Sequence, residues 1–135
     1  SNYCTASPNS VGAGMNIGYA GTLSVSLNNC VLVASDGPPG QPGIFYYGPN
    51  QISVPFGDGT RCVGGQVFRL YPPSFVSNST GTAYKALDYT SGPMASGSGM
   101  VYPGAVFNFQ YWYRDPQGGS AGFNFSDAIE LTFCP

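Results

Sequence analysis

Residues 107–116 read FNFQYWYRDP, a run that contains the chain's one tryptophan, and its placement decides the fold. In an extended strand successive side chains point to opposite faces. Phe107, Phe109, Tyr111 and Tyr113 then share one side, and Asn108, Gln110, Trp112 and Arg114 share the other. A row of rings that each bury ~150–250 Å² is what the centre of a layered β protein needs. The four-ring row is therefore expected to pack inward, which leaves Trp112 as the ring whose face is open to a ligand or partner.

Outward from this run the punctuation is that of β structure. Twenty glycines and twelve prolines recur at short intervals, and no segment holds a helical apolar period over several turns. TLSVSL (22–27) alternates cleanly, and Asn28-Asn29 reads as the turn into CVLVAS (30–35), a hairpin pattern because asparagine tolerates positive φ. DGPPGQPG (36–43) is a loop, since proline lacks the amide donor that a sheet interior requires. GIFYYG and ISVPF flank Pro49-Asn50, CVGGQVFRLY ends at Pro72-Pro73, and TAYKALDY (82–89) precedes a small-residue loop at 91–99. AVFNFQYWYR and AIELTF close the series. About eight short strands at this spacing predict an all-β fold, a two-sheet, jelly-roll-like sandwich, in a single domain spanning residues 1–135.

Charge is scarce: four Lys+Arg, six Asp+Glu, no histidine and a net charge of −2. Arg61, Arg69, Lys85 and Arg114 are too few and too scattered in sequence to form the basic patch that nucleic acid requires. No stretch approaches the ~20 apolar residues of a membrane-spanning helix, so no membrane insertion is expected. Cys4, Cys30, Cys62 and Cys134 never form a closely spaced pair, and without histidine a zinc site is a poor reading. Two disulfides fit better and imply an oxidising, extracellular or cell-surface setting. From the residues alone all three connectivities stay open. No signal peptide is visible in these residues, and with the disulfides in mind processing or trimming upstream of Ser1 is expected.

The inventory for catalysis is thin. Histidine, the common general base near neutral pH, is missing. Glu130 falls opposite the Ile129, Leu131 and Phe133 face of its strand, where a solvated carboxylate is expected; Asp115 precedes Pro116; Asp127 sits just before the last strand. Asp58 between two glycines, and Asp115 with Asp127, offer oxygen atoms to calcium, but turn formation explains them without a metal. No enzyme activity, metal or cofactor is expected. Arg114 is expected to pair with a carboxylate, tying its turn to the last strand, or else to meet a sugar or carboxylate ligand. Asn78-Ser79-Thr80 and Asn124-Phe125-Ser126 are glycan acceptors where the producing organism has the machinery.

Several pieces in order, YCTASPNSVG, SVSLNNCVLVAS, FYYGPNQISVPFGDGTRCVGG, YPGAVFNFQYWYRDP and FNFSDAIELTF, resemble a recurrent C-terminal-type β domain of large secreted and surface proteins of planctomycetes and related bacteria. The resemblance covers nearly the whole chain and brings no activity with it. It implies that Cys4 pairs with Cys62, which leaves Cys30 with Cys134.

The expectation is a non-enzymatic, extracellular structural or adhesive domain, a subunit or module of a cell-surface or filamentous assembly that associates with copies of itself or with other surface proteins. Unprotected strand edges are templates for such pairing. The alternative is a carbohydrate-binding module whose glycan contacts are Trp112 and Arg114.

Overall fold

The aromatic run folds as the middle of the largest sheet. The computed structural model describes residues 1–71 and 75–135. Its strands are β1 (Asn2–Tyr3), β2 (Asn16–Ala20), β3 (Val31–Ser35), β4 (Pro42–Gly48), β5 (Asn50–Phe56), β6 (Gly59–Gly64), β7 (Phe68–Arg69), β8 (Phe75–Val76), β9 (Ala83–Ala86), β10 (Val106–Arg114) and β11 (Phe123–Thr132). The main sheet runs β1-β11-β10-β4-β7, with β8 also on β4, and a second sheet runs β2-β3-β9. β5 and β6 form a separate hairpin. All of these pairings are antiparallel. The expected single strand over CVGGQVFRLY divides at Gly64-Gly65 into β6 of the hairpin and β7 of the main sheet; Pro72 and Pro73 lie outside the described residues.

The four-ring row packs inward as its alternation predicts. Phe107, Phe109, Tyr111 and Tyr113 are buried with Phe45 and Tyr47 of β4 against Ile17, Leu32, Ala34 and Ala83 of the second sheet. Tyr47 stacks on Phe109 at 5.2 Å, and Tyr111 on Tyr113 at 5.9 Å. The small-residue loop closes one end of this layer: it forms two 3-10 turns, Met94 is buried, and the Tyr47 hydroxyl donates to the Gly99 carbonyl at 2.8 Å.

β11 serves both faces of the main sheet because a bulge shifts its phase. Trp112 faces Phe125 and Gln110 faces Ala128, so both Ser126 and Asp127 stand against Tyr111. Phe125 and Ala128 consequently join a second, outer core with Tyr46, Cys62 and Val63, while Ile129 and Leu131 join the inner one. The β5–β6 hairpin forms the roof of this outer core.

The TLSVSL/CVLVAS hairpin does not form, and β3 pairs instead with β2, Ile17 facing Ala34 and Tyr19 facing Leu32. Residues 25–28 wind into a turn and Ser24 makes only an isolated bridge, because the short polar side chains of this stretch bind the local backbone. Asn29 Oδ1 accepts from the Thr22 amide (3.1 Å) and hydroxyl (2.7 Å), and Ser24 Oγ accepts from the Leu27 amide (3.3 Å). Asn28 does adopt the left-handed conformation expected of a turn asparagine, φ 47°.

Cys4 and Cys62 are joined by a disulfide, which fits an oxidising compartment. Cys30 and Cys134 do not form the expected second bridge. Cys30 is buried in the inner core, whereas Cys134 is exposed, its backbone pinned to Leu23 and Val25 on the strand-like bridge at Ser24. Desolvation pushes the Cys30 thiol up to about 11, which keeps it protonated and unreactive at neutral pH. Among the described residues no helix is long and apolar enough to cross a membrane.

Candidate functional site

The outer face of the main sheet carries the alternate residues of the opening run, and Gln110 fixes how much of it is covered. Gln110 has no exposed surface. Its Oε1 accepts from the Tyr46 hydroxyl and from the Cys62 amide (2.9 Å), and its Nε2 donates to the carbonyls of Thr60 (3.0 Å) and Ser126 (2.7 Å). All the hydrogen-bonding capacity of a primary amide is thereby used, and the hairpin strand β6 is stitched onto β10. The Tyr3 hydroxyl adds a 2.8 Å bond to the Cys62 carbonyl, and the disulfide adds a covalent tie to the N-terminal segment. The hairpin tip is strapped down separately: the Asp58 amide donates to the Phe123 carbonyl at 3.0 Å, and the Asp58 carboxylate accepts from the amides of Ala121 (3.2 Å) and Gly122 (3.0 Å). Gly57 lies against the Phe123 ring so closely that a Cβ there would sit 2.3 Å from it, and its φ of 61° also suits glycine.

Beyond the hairpin the outer face lies open around Trp112. Its ring stacks on Phe125 (centroids 5.9 Å, 10° between planes) and meets Phe123 edge-on at 5.9 Å and Phe56 of the hairpin at 6.4 Å. The Arg69 guanidinium lies over the same indole, Cζ 5.7 Å from the centroid. Two clefts flank the ring. One, of about 290 Å³, is walled by Tyr46, Phe56 and Phe125 and carries Arg61 and Arg69. The other, of about 350 Å³, runs past Ile44 and Phe123 to Arg114 and is mostly apolar. Both expected contact residues, Trp112 and Arg114, thus line one cleft, and Trp112 lines both.

Arg61 and Arg69 are the residues that sequence reasoning missed. Scattered at positions 61, 69 and 114, three of the chain's four cations converge because β6, β7 and β10 meet on this face. Among the described residues no carboxylate lines either cleft. The expected pairing of Arg114 with a neighbouring carboxylate is absent because its candidates serve elsewhere. Asp115 is buried and accepts from the Ser10 amide at 2.8 Å and from the Ser10 hydroxyl. Asp127 accepts from the Ile17 amide (2.7 Å) and Asn2 Nδ2 (3.0 Å), tying β2 and β1 to the bulge; its burial pushes its pKa above the usual carboxylate value. Asp58, Asp115 and Asp127, the oxygen donors that calcium would need, each bind backbone amides at separate places. Glu130 is half-buried and accepts from Gln51 Nε2 at 3.0 Å.

The two sequons differ sharply. Asn124 is buried, with Nδ2 donating to the Pro8 carbonyl at 3.0 Å and Oδ1 accepting from the Phe125 amide at 2.7 Å, so the fold closes it to a glycan. Asn78 is exposed at a turn, where its Oδ1 accepts from the Thr80 amide and hydroxyl and from the Thr82 amide. In comparisons with known proteins the chain matches no family model, no curated protein and no solved structure.

Proposed function

We propose that the chain is a non-enzymatic, extracellular adhesive module that holds a glycan on the face centred on Trp112. The observation that carries this reading is an aromatic platform flanked by two clefts, with arginines in both and acidic residues in neither. Rings of this kind stack on the apolar faces of sugars, and guanidinium groups bond to their oxygens. Preorganisation supports the reading too, because the disulfide and Gln110 fix the roof of the site before any ligand arrives. The disulfide fits secretion, and the resemblance to a domain of bacterial surface proteins points the same way.

The test is binding to arrayed glycans and to insoluble polysaccharides, with Trp112→Ala beside the unaltered chain and near-UV circular dichroism as the check on folding. A folded Trp112→Ala protein is expected to lose at least tenfold in affinity. Unchanged binding would remove the platform.

A second reading, a subunit of a filamentous or cell-surface assembly, rests on β5, which is exposed along most of its length and presents Val54 and Phe56 to solvent. A register irregularity between Gln51 and Val54 and the missing amide of Pro55 blunt this edge, so the association would be through side chains rather than added strands. Sedimentation that shows a monomer at high concentration, with no ordered polymer in the native source, would end it.

A further inference from the structure

We infer that the Trp112 face takes an acidic polysaccharide, a chain whose sugar units carry repeated carboxylate groups. This rests on the adhesive function proposed for the same face and names the ligand class of that site. Three observations lead to it.

The first is charge segregation. The chain is net negative, −2, yet Arg61, Arg69 and Arg114 stand together with Trp112 and without acidic neighbours. Among the described residues none of the three is ion-paired, and Arg61 spends one donor, Nε, on the Val63 carbonyl at 3.2 Å. A guanidinium that lacks a carboxylate partner keeps its planar fork of donors for one.

The second is spacing. Arg69 reaches in from β7, two strands from β10, to set its Cζ 5.7 Å from the indole centroid in one cleft, and Arg114, two residues beyond Trp112 on β10, lines the other. A carboxylate seated in one cleft leaves the arginine of the other cleft without a partner. The arrangement suits acid groups repeated along a chain that passes Trp112 from one cleft to the other.

The third is the kind of surface. Trp112 and Arg114 stand on β10, which is paired on both sides with β11 and β4, so an acidic peptide finds no edge to extend on the strand that carries them. Exposed Phe56 and half-buried Trp112 and Phe123 offer apolar planes instead, which sugar rings match.

The experiment uses isothermal titration calorimetry with three probes of equal length: an oligogalacturonate, the same oligosaccharide with its carboxyl groups reduced to alcohols, and poly-glutamate. The oligogalacturonate is expected to bind, the reduced oligosaccharide at least thirtyfold more weakly, and poly-glutamate weakly or not at all. Arg69→Gln and Arg114→Gln are each expected to weaken the oligogalacturonate about tenfold, and Arg69→Lys less than Arg69→Gln. Raising salt should weaken the unaltered protein more than the Arg114→Gln variant. Thermal unfolding of each variant guards against misfolding, and Lys85→Gln, a cation outside both clefts, serves as the charge-matched control.

Equal binding of the reduced oligosaccharide would overturn the inference while leaving a glycan-binding face intact. Poly-glutamate binding as tightly as the uronate would overturn it in favour of simple charge attraction. So would a loss of affinity in Lys85→Gln as large as that in Arg114→Gln. Failure of every saccharide, acidic or neutral, with wild type and Trp112→Ala alike would sink both the inference and the glycan-binding function beneath it.

Discussion

Gln110 faces away from the ring row, as strand alternation dictates, and an amide on that side of a strand reads as solvent-facing. It is fully buried instead, because a hairpin from residues 50–64 closes over it and every donor and acceptor it has is used. Removing the amide leaves the Tyr46 hydroxyl, the Cys62 amide and two carbonyls unsatisfied, at about 1–3 kcal/mol per stranded group before relaxation. Gln110→Leu is therefore expected to lose about 3 kcal/mol or more in urea denaturation. Gln110→Glu is the sharper comparison: its shape is conserved, but a carboxylate would face the Thr60 and Ser126 carbonyls with no proton to give. It should destabilise as much as leucine does, and wild-type stability in Gln110→Glu would contradict the assigned network. The same single-residue view explains why the arginine cluster was illegible. Arg61, Arg69 and Arg114 belong to no motif, and only strand pairing brings them together, whereas the Trp112 and Arg114 contact could be read from alternation within one strand.

Elements were legible where apolar periodicity was long, and misread where side chains competed for the backbone. β10 and β4 fall where their rings and aliphatics alternate, but the equally regular TLSVSL carries one Thr and two Ser and runs into Asn28-Asn29, and the polar side chains of this stretch bind the local backbone instead of a partner strand. The partner that replaces it, β2, was missed because only Ile17 of its five residues is fully buried and Gly18 interrupts it. The hairpin β5–β6 is the element whose stability is most separable. It borders an outer core of a few residues and is held by the Gln110 bonds, the Asp58 strap and the Cys4–Cys62 bond, which links positions 58 residues apart. Loss of such a crosslink costs about 2–5 kcal/mol. Cys4→Ala/Cys62→Ala is expected to lose stability in that range and, in hydrogen exchange, to lose protection first in β5 and β6 while β10 keeps its own. Because the hairpin forms one wall of the Arg61–Arg69 cleft, ligand affinity should fall with it. Equal loss of protection in all strands would show that the hairpin is no separate unit.

At the scale of the molecule, the main sheet is shared by two cores, and that sharing sets how it unfolds. Sequence reading anticipated two sheets around one core, an expectation that holds for the inner layer; the outer layer was hidden because the bulge at Ser126-Asp127 changes which face β11 serves, and a one-residue phase shift leaves no mark in composition. β10 and β11 contribute to both layers, Phe109 and Ile129 inward, Gln110 and Phe125 outward. A lesion in the inner core must then reach the outer one, whereas the reverse need not follow. Phe109 is fully buried, stacks on Tyr47 at 5.2 Å and meets Phe133 edge-on at 6.2 Å. Truncating it removes the ring's burial and leaves a cavity, a loss of about 3–5 kcal/mol. Phe109→Ala is thus expected to lower the free energy of opening of β2, β4, β5, β6, β10 and β11 together in native-state hydrogen exchange, because the outer core has no floor once β10 is released. The disulfide-less variant, by contrast, should move β5 and β6 alone. If Phe109→Ala spares the hairpin, the two cores are independent, and the clefts around Trp112 owe their shape to the roof and not to the sandwich beneath.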